Sequence, residues 1–492
     1  MREVRKLAGQ TLIYGLGTII PRFLHYAVMT PFYTRVFIDT SDYGIITELY
    51  AWMVLLLVIL TYGMETGFFR FSQKSGEAEK VYSTALISLF LTSVIFVIIV
   101  NVFIEPVSIF MKYPDNKDYI RMFAGIVAID AFTAIPFARL RKEKKAGLFS
   151  FIKLTNVLIT IGLVIFLLKI APEIWERNSG WFRKVYNPDY KVGYVFVANI
   201  VSSSATLIIL LPFIVKIKYI FDTSLWYRMI KYSFPLLLAG LSGTINDALD
   251  KVILRRMIGE EEGLAVVGQY GAGYKIGVLM ALFIQMFRFA AEPFFFERAK
   301  YSDAKEMYAS VMKYFVIIML IVYLVINLYI SGIQYIIAVN YREAIIVVPI
   351  ISMAYLLYGI YVNHSIWYKL NNLTIYAVYI TFIGAVITIM INVLLIPVYG
   401  YLASAWAHVA SYASMIIISF IFARKHYWVE YNVIRFIPYF FIAIGMVIFG
   451  KYFKYPGTIS ELLINTALIM IFIGYAQYKD KIITVFLSHK EK

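Results

Sequence analysis

Residues 43–69 read YGIITELYAWMVLLLVILTYGMETGFF, and residues 270–296 read YGAGYKIGVLMALFIQMFRFAAEPFFF. Aligned without a gap, at an offset of 227 residues, Tyr43, Gly44, Met53, Leu55, Glu65, Phe68 and Phe69 meet Tyr270, Gly271, Met280, Leu282, Glu292, Phe295 and Phe296. Shared apolarity does not account for Tyr-Gly at one end and Glu-x-x-Phe-Phe at the other, in one register. Each stretch is long and apolar enough for a membrane helix, so the chain reads as a duplicated membrane bundle. Duplicated bundles are an architecture of secondary transporters, whose substrate sites lie between the repeats.

Composition agrees. Of the 492 residues, 61% are hydrophobic and 15% charged, against roughly 25% charged in soluble domains; mean hydropathy is +0.75. The net charge of +16 does not point to nucleic acid, because Lys and Arg recur in the short gaps between apolar runs, as the positive-inside rule describes. There is no cysteine, which removes disulfides, metal thiolates and S-acylation. The first apolar run continues to about Phe37, past the length of a signal peptide, and reads as the first span.

At ~20 apolar residues per crossing, about fourteen spans are expected, near 9–36, 44–67, 82–105, 119–140, 147–169, 193–216, 233–256, 267–291, 308–330, 344–364, 374–396, 401–423, 434–451 and 459–478. The fold class is therefore an all-α polytopic membrane protein. The domains are an N-terminal six-helix lobe (1–216), an interfacial linker (217–232), a C-terminal six-helix lobe (233–425) and two further helices with a tail (426–492). Six spans return the chain to its starting side, so the repeats are parallel. Basic residues concentrate in alternate gaps, including Lys80, Arg139, Arg141, Lys142, Lys144, Lys145 and Lys305, which puts both termini in the cytoplasm.

Charges inside spans are costly and tend to face water or one another. Arg22 follows Pro21 in the first span, with His25 one turn on; it is either a cationic cavity wall that forks onto a phosphate or a packing partner for an acid such as Asp130. The seventh span carries Ser242, Asn246 and Asp250 at i, i+4 and i+8, and Asp247 and Lys251 at i and i+4. Either one aspartate binds a coupling cation or proton, or Asp247 and Lys251 neutralise each other and Asp250 is wet. Glu48 aligns with Lys275; the two form an outer gate or each snorkels to the interface. Glu65 and Glu292, followed by Arg70 and Arg298, read as anchors at the cytoplasmic ends of spans 2 and 8, with Arg288 a partner for Glu292. No Walker loop, metal spacing or catalytic set is present, and GLGTII at 15–20 lacks the strand-to-helix context of a dinucleotide fingerprint. Neither an enzyme nor a cofactor is expected.

The segment GMETGFFRFSQKSGE (63–77) resembles the Gly-Leu/Met-Glu-Thr-Ala-Phe-Phe-Arg-Phe signature of polysaccharide flippases in the multidrug/oligosaccharidyl-lipid/polysaccharide exporter superfamily. The resemblance runs along the chain through Tyr43-Gly44, the basic Arg139 and Arg141, Tyr232-Ser233-Phe234-Pro235, Gly268-Gln269-Tyr270, and the run from Pro397 through Gly400 to Ala405. Ala403-Ser404 departs from it where the family often has another glycine. The resemblance implies two six-helix lobes in a V plus two C-terminal helices, a central cavity opening to either side in turn, and a polyprenyl-diphosphate-linked oligosaccharide (O-antigen, capsule or exopolysaccharide unit) as cargo. It implies a multi-pass protein of the bacterial cytoplasmic membrane, monomeric, in contact with membrane lipids and polysaccharide assembly proteins. Arg22, His25, Lys251 and Lys275 are the expected substrate contacts, and Asp250, Asp247 and Glu48 the expected coupling groups. The rivals are a multidrug or cation antiporter and a peptidoglycan-precursor flippase of the same superfamily. A membrane polymerase or ligase needs a larger outer loop than 170–192.

Overall fold

The computed structural model describes residues 15, 17–73, 77–177, 180–371, 373–452 and 458–482. Among them every regular element is helical, as backbone polar groups in a bilayer demand. A π-helical turn, His25–Met29, leads into α1 (Thr30–Val36). There follow α2 (Thr40–Thr61), α3 (Met64–Phe71), α4 (Ala78–Val102), α5 (Lys117–Lys142), α6 (Ala146–Ile165) and α7 (Lys191–Val215). The second half comprises α8 (Thr223–Ile258), α9 (Glu260–Gly277), α10 (Leu279–Arg298), α11 (Ala304–Leu328), α12 (Val348–His364), α13 (Ile375–Tyr399), α14 (Tyr401–His426), α15 (Ile437–Tyr452) and α16 (Thr458–Asp480).

Twelve helices among the described residues are long and apolar enough to span a membrane, fewer than the fourteen expected. The first expected span begins at residue 9, outside the described residues. The seventh lies in α8, which carries Arg228, Lys231, Asp247, Asp250, Lys251, Arg255 and Arg256 and is not in that set. The expected eighth span is interrupted at Val278, which separates α9 from α10.

From Thr223 onward the expected linker and the seventh span form one helix of 36 residues that continues through Pro235. At 1.5 Å per residue it is about 54 Å long, well beyond a ~30 Å hydrocarbon core. Asp222 caps it by accepting from the Leu225 N–H at 2.8 Å, and Lys80 forms an ion pair with the same carboxylate.

Packing groups the chain into two compact units: Met1–Gly271 with Asn392–Gly400, and Ala272–Ile391 with Tyr401–Lys492. In the first, α5 lies between α4 and α7, and α8 packs along α2. Its core at the α3 end includes Met64, Phe68, Tyr82, Leu86, Ile135, Leu140 and Met229. In the second unit α12 packs on α14, and α11 contacts α12, α15 and α16. The six-plus-six division at 217–232 concerns the sequence repeats and is distinct from these packing units.

Candidate functional site

Within the first unit, the start of α2 meets α9 backbone to backbone. A Cβ on Gly44 would lie 1.9 Å from the Leu264 carbonyl oxygen, and one on Gly268 would lie 2.0 Å from that of Thr40. Only glycine permits that approach. Gly271, the repeat counterpart of Gly44, sits against the Thr47 side chain, where a Cβ would come within 2.7 Å.

One turn along α2, Glu48 is 2% exposed. It accepts from Arg255 Nη1 at 2.5 Å and from the Tyr113 hydroxyl at 2.6 Å. Arg255, itself 4% exposed, also donates to the carbonyls of Met111 at 3.3 Å and Lys112 at 2.9 Å and covers the Tyr113 ring. Lys112 has a φ of +62° and closes the short helix Ile104–Met111, so its carbonyl is presented by a tight turn. Arg256 donates to the Phe110 carbonyl and lies over the Phe110 ring. Snorkelling is thereby overturned for Glu48: it is an inward-facing carboxylate clamped to α8. Lys275, on α9, is half-buried and falls in the second unit.

The polar strip of α8 faces inward as its spacing requires, with Ser242, Asn246 and Asp250 all buried. Asp250, expected to be wet if Asp247 took the lysine, is 0% exposed. It accepts from Lys251 Nζ at 2.8 Å and the Tyr270 hydroxyl at 2.7 Å. Lys251 Nζ donates as well to the backbone carbonyl of Asp247. The physical reason is burial: Lys251 is 7% exposed, so a buried carboxylate offsets its desolvation, while Asp247 lies on the exposed side of the helix.

Arg22 is exposed and stands just before the π-turn; His25, at its start, is half-buried. Tyr26 lies within electrostatic range of both Arg22 and Asp247. Asp130 accepts from Ser203 Oγ at 2.9 Å and interacts electrostatically with Lys153, which Arg22 also influences. His364 bonds Ser419 at 2.7 Å and stacks on Phe420, a core arrangement.

The signature stretch closes α2 with two left-handed residues, Tyr62 and Gly63. A Cβ on Gly63 would come 2.9 Å from the Ser233 carbonyl. Glu65 pairs with Arg141 of α5, and Arg70 lies over Tyr232. Arg139 joins Glu79 at 2.8 Å and Glu143 at 2.6 Å, while Lys142 donates to the Ser72 carbonyl. In the second unit Glu292 pairs with Lys369 at 2.6 Å and more distantly with Arg288 at 4.0 Å. In both repeats the acid at the end of the second span is thus held by a base near the end of the fourth, Arg141 in its last turn and Lys369 just beyond it. Arg255, Tyr113, Tyr270, Arg141 and Lys369 were not singled out as these partners from sequence.

Residues 7–298 match the family model described as "Polysaccharide biosynthesis protein", and that range takes in the first span, the signature and α8. The chain belongs to this family. Among solved structures, the chain shares its fold with the lipid II flippase MurJ in an inward closed conformation (15% identity, 95% of this chain and 99% of that one, TM-score 0.70). It also shares it with a MATE protein in the straight conformation (14% identity, 84% and 94%, TM-score 0.61). A third is a transporter of the same superfamily from Pyrococcus furiosus (13% identity, 85% and 95%, TM-score 0.53). No curated protein matches the chain. The protein is thus a multi-pass membrane member of the polysaccharide biosynthesis family, with the fold of the MurJ and MATE structures.

Proposed function

We propose that the protein flips a polyprenyl-diphosphate-linked oligosaccharide across the bacterial cytoplasmic membrane by alternating access. The observation that carries this reading is the family match across residues 7–298, which includes both the signature clamp and the exposed Arg22. A diphosphate inside a bilayer needs cations, and a guanidinium engages it with two parallel hydrogen bonds. Arg22 is that group, with His25 beside it.

Lys251 is held by Asp250 in the described state. Protonation or cation binding at Asp250 releases the ammonium toward the diphosphate, and export of the headgroup restores the pair. An ion then shifts the two states by its differential affinity for them, which links an ion gradient to cargo without a nucleotide.

The test is transport of a lipid-linked oligosaccharide in vesicles holding the purified protein. Arg22→Ala abolishes flipping at normal membrane levels, and Arg22→Lys restores part of it because the charge remains while the fork is lost. An imposed proton or sodium gradient drives the wild type and not Asp250→Asn. Full activity of Arg22→Ala removes Arg22 from the site; a wild type indifferent to both gradients removes Asp250 from coupling. Transport of lipid II in place of the oligosaccharide reassigns the cargo.

A further inference from the structure

Between the end of α7 at Val215 and the third turn of α8 the chain carries four exposed cations, Lys216, Lys218, Arg228 and Lys231. Among the described residues none of the four has a side-chain ion pair. Bases on the helices beside them do have partners: Lys80 of α4 pairs with Asp222, Arg139 of α5 with Glu79 and Glu143, and Arg141 of α5 with Glu65. Asp222 is the one acid between residues 216 and 231, and Lys80 already occupies it. The stretch therefore holds a surplus of positive charge with no counter-ion of its own.

That charge is presented on a fixed backbone. The Ile220 N–H donates to Ser83 Oγ at 2.7 Å and the Asp222 N–H to Thr84 Oγ1 at 3.3 Å. The Tyr219 hydroxyl donates to the Ile214 carbonyl at 2.8 Å. On α8, Leu225 and Met229 are buried, which leaves Ser224, Tyr227, Arg228 and Lys231 together on the opposite face. The patch also stands at a boundary. Leu211 and Val215 on α7 and Phe234 and Leu238 on α8 are exposed apolar side chains that border it, and the exposed rings of Tyr219, Phe221 and Tyr227 lie among the cations. Apolar surface giving way to aromatics and then to Lys and Arg is the order met on leaving a hydrocarbon core through the headgroups. The length of α8, about 54 Å against a ~30 Å core, likewise puts one of its ends in that layer.

We propose that residues 216–231 form a binding site for anionic phospholipid headgroups, such as phosphatidylglycerol, in the leaflet at this end of the bundle. Charge selects the occupant. A zwitterionic headgroup brings its own ammonium or choline to the cations, whereas an anionic one supplies the missing counter-ion. Each Lys or Arg near an anionic membrane surface is worth about fivefold in binding. The site stands whether or not the cargo is a polyprenyl diphosphate.

The chain has no cysteine, so Ser224→Cys gives a single thiol on the cationic face for a bimane label. The labelled full chain is placed in phosphatidylcholine vesicles holding a minority of lipid with a doxyl quencher high on its acyl chain, carried on either phosphatidylglycerol or phosphatidylcholine. The phosphatidylglycerol form quenches with an apparent affinity at least fivefold higher, and ~0.5 M salt removes most of that preference by screening. Replacing Lys216, Lys218, Arg228 and Lys231 together by Gln abolishes it, while Arg183→Gln with Lys184→Gln, in the 170–192 loop, leaves it unchanged. Equal quenching by the two lipids, a preference indifferent to salt, or one that survives the four Gln substitutions overturns the site. The salt arm needs no charge variant, so it decides the matter even if the four-Gln protein fails to fold. A polyprenyl diphosphate is the last competitor: displacing the doxyl phosphatidylglycerol no better than unlabelled phosphatidylglycerol does supports the site. Displacing it tenfold better assigns the surface to the cargo and overturns the phospholipid assignment.

Discussion

Glu48 and Arg255 stand 207 residues apart in the chain and meet with both side chains almost wholly buried. Two desolvated charges in contact are a modest net gain, whereas one left alone is a large loss. Glu48→Leu is accordingly expected to destabilise the protein by about 3–5 kcal/mol, and adding Arg255→Met to restore most of the loss. Thermal unfolding of the detergent-purified variants checks this; a single variant as stable as the wild type means that the pair contributes nothing. The sequence showed that Glu48 lay inside a span, because a carboxylate in an apolar run is conspicuous. It did not show the partner, since nothing local ties residue 48 to residue 255. The choice of Asp250 over Asp247 by Lys251 was hidden for a related reason. Helical spacing says which side chains are neighbours, and only packing says which of them is dry.

Among the elements, α8 was the least legible. Its amphipathic first turns and its polar strip suggested two pieces, and the helix runs through both. Its start depends on charge: Lys80, bonded to Asp222, and then the Leu225 N–H hold that carboxyl below the ordinary range. A carboxyl with a depressed folded-state pKa contributes stability above its unfolded value and loses it as pH falls through the folded one. Hydrogen exchange at the Leu225 amide should therefore quicken as pH drops below about 4, after correction for intrinsic rates, and Asp222→Asn should remove that dependence. Unchanged protection through the acid range would count against the cap. The α2–α9 contact gives a second expectation. Gly268→Ala forces the two backbones apart, so a cysteine placed by Thr47→Cys should react with a water-soluble maleimide several-fold faster in that background. The chain has no cysteine of its own, which makes the readout clean; an unchanged rate would mean the helices part elsewhere.

For the whole molecule, the membrane character and most spans were readable because runs of ~20 apolar residues have few alternatives. Twelve of the expected fourteen correspond to helices that meet a length and hydropathy test. The seventh is not among them, and its polar strip of Ser242, Asn246 and Asp250 is what makes it of interest. Sidedness has its own check: reporter fusions after Lys80, Lys145 and Lys305 should signal cytoplasm and fusions near Trp181 the exterior. A cytoplasmic signal at Trp181 would displace the assigned topology.

The packing units bear on how the protein is made. The first unit takes in residues up to Gly271 and then a further piece, Asn392–Gly400, with the intervening chain assigned to the second. A ribosome working from the N-terminus must release residue 400 of 492 before the first unit has all its parts. Until then the nascent chain holds an unfinished helical assembly in the bilayer, open to quality-control proteases. Truncation after Ile391 should thus harm the N-terminal half that it leaves intact in sequence, and the two halves should accumulate only when produced together.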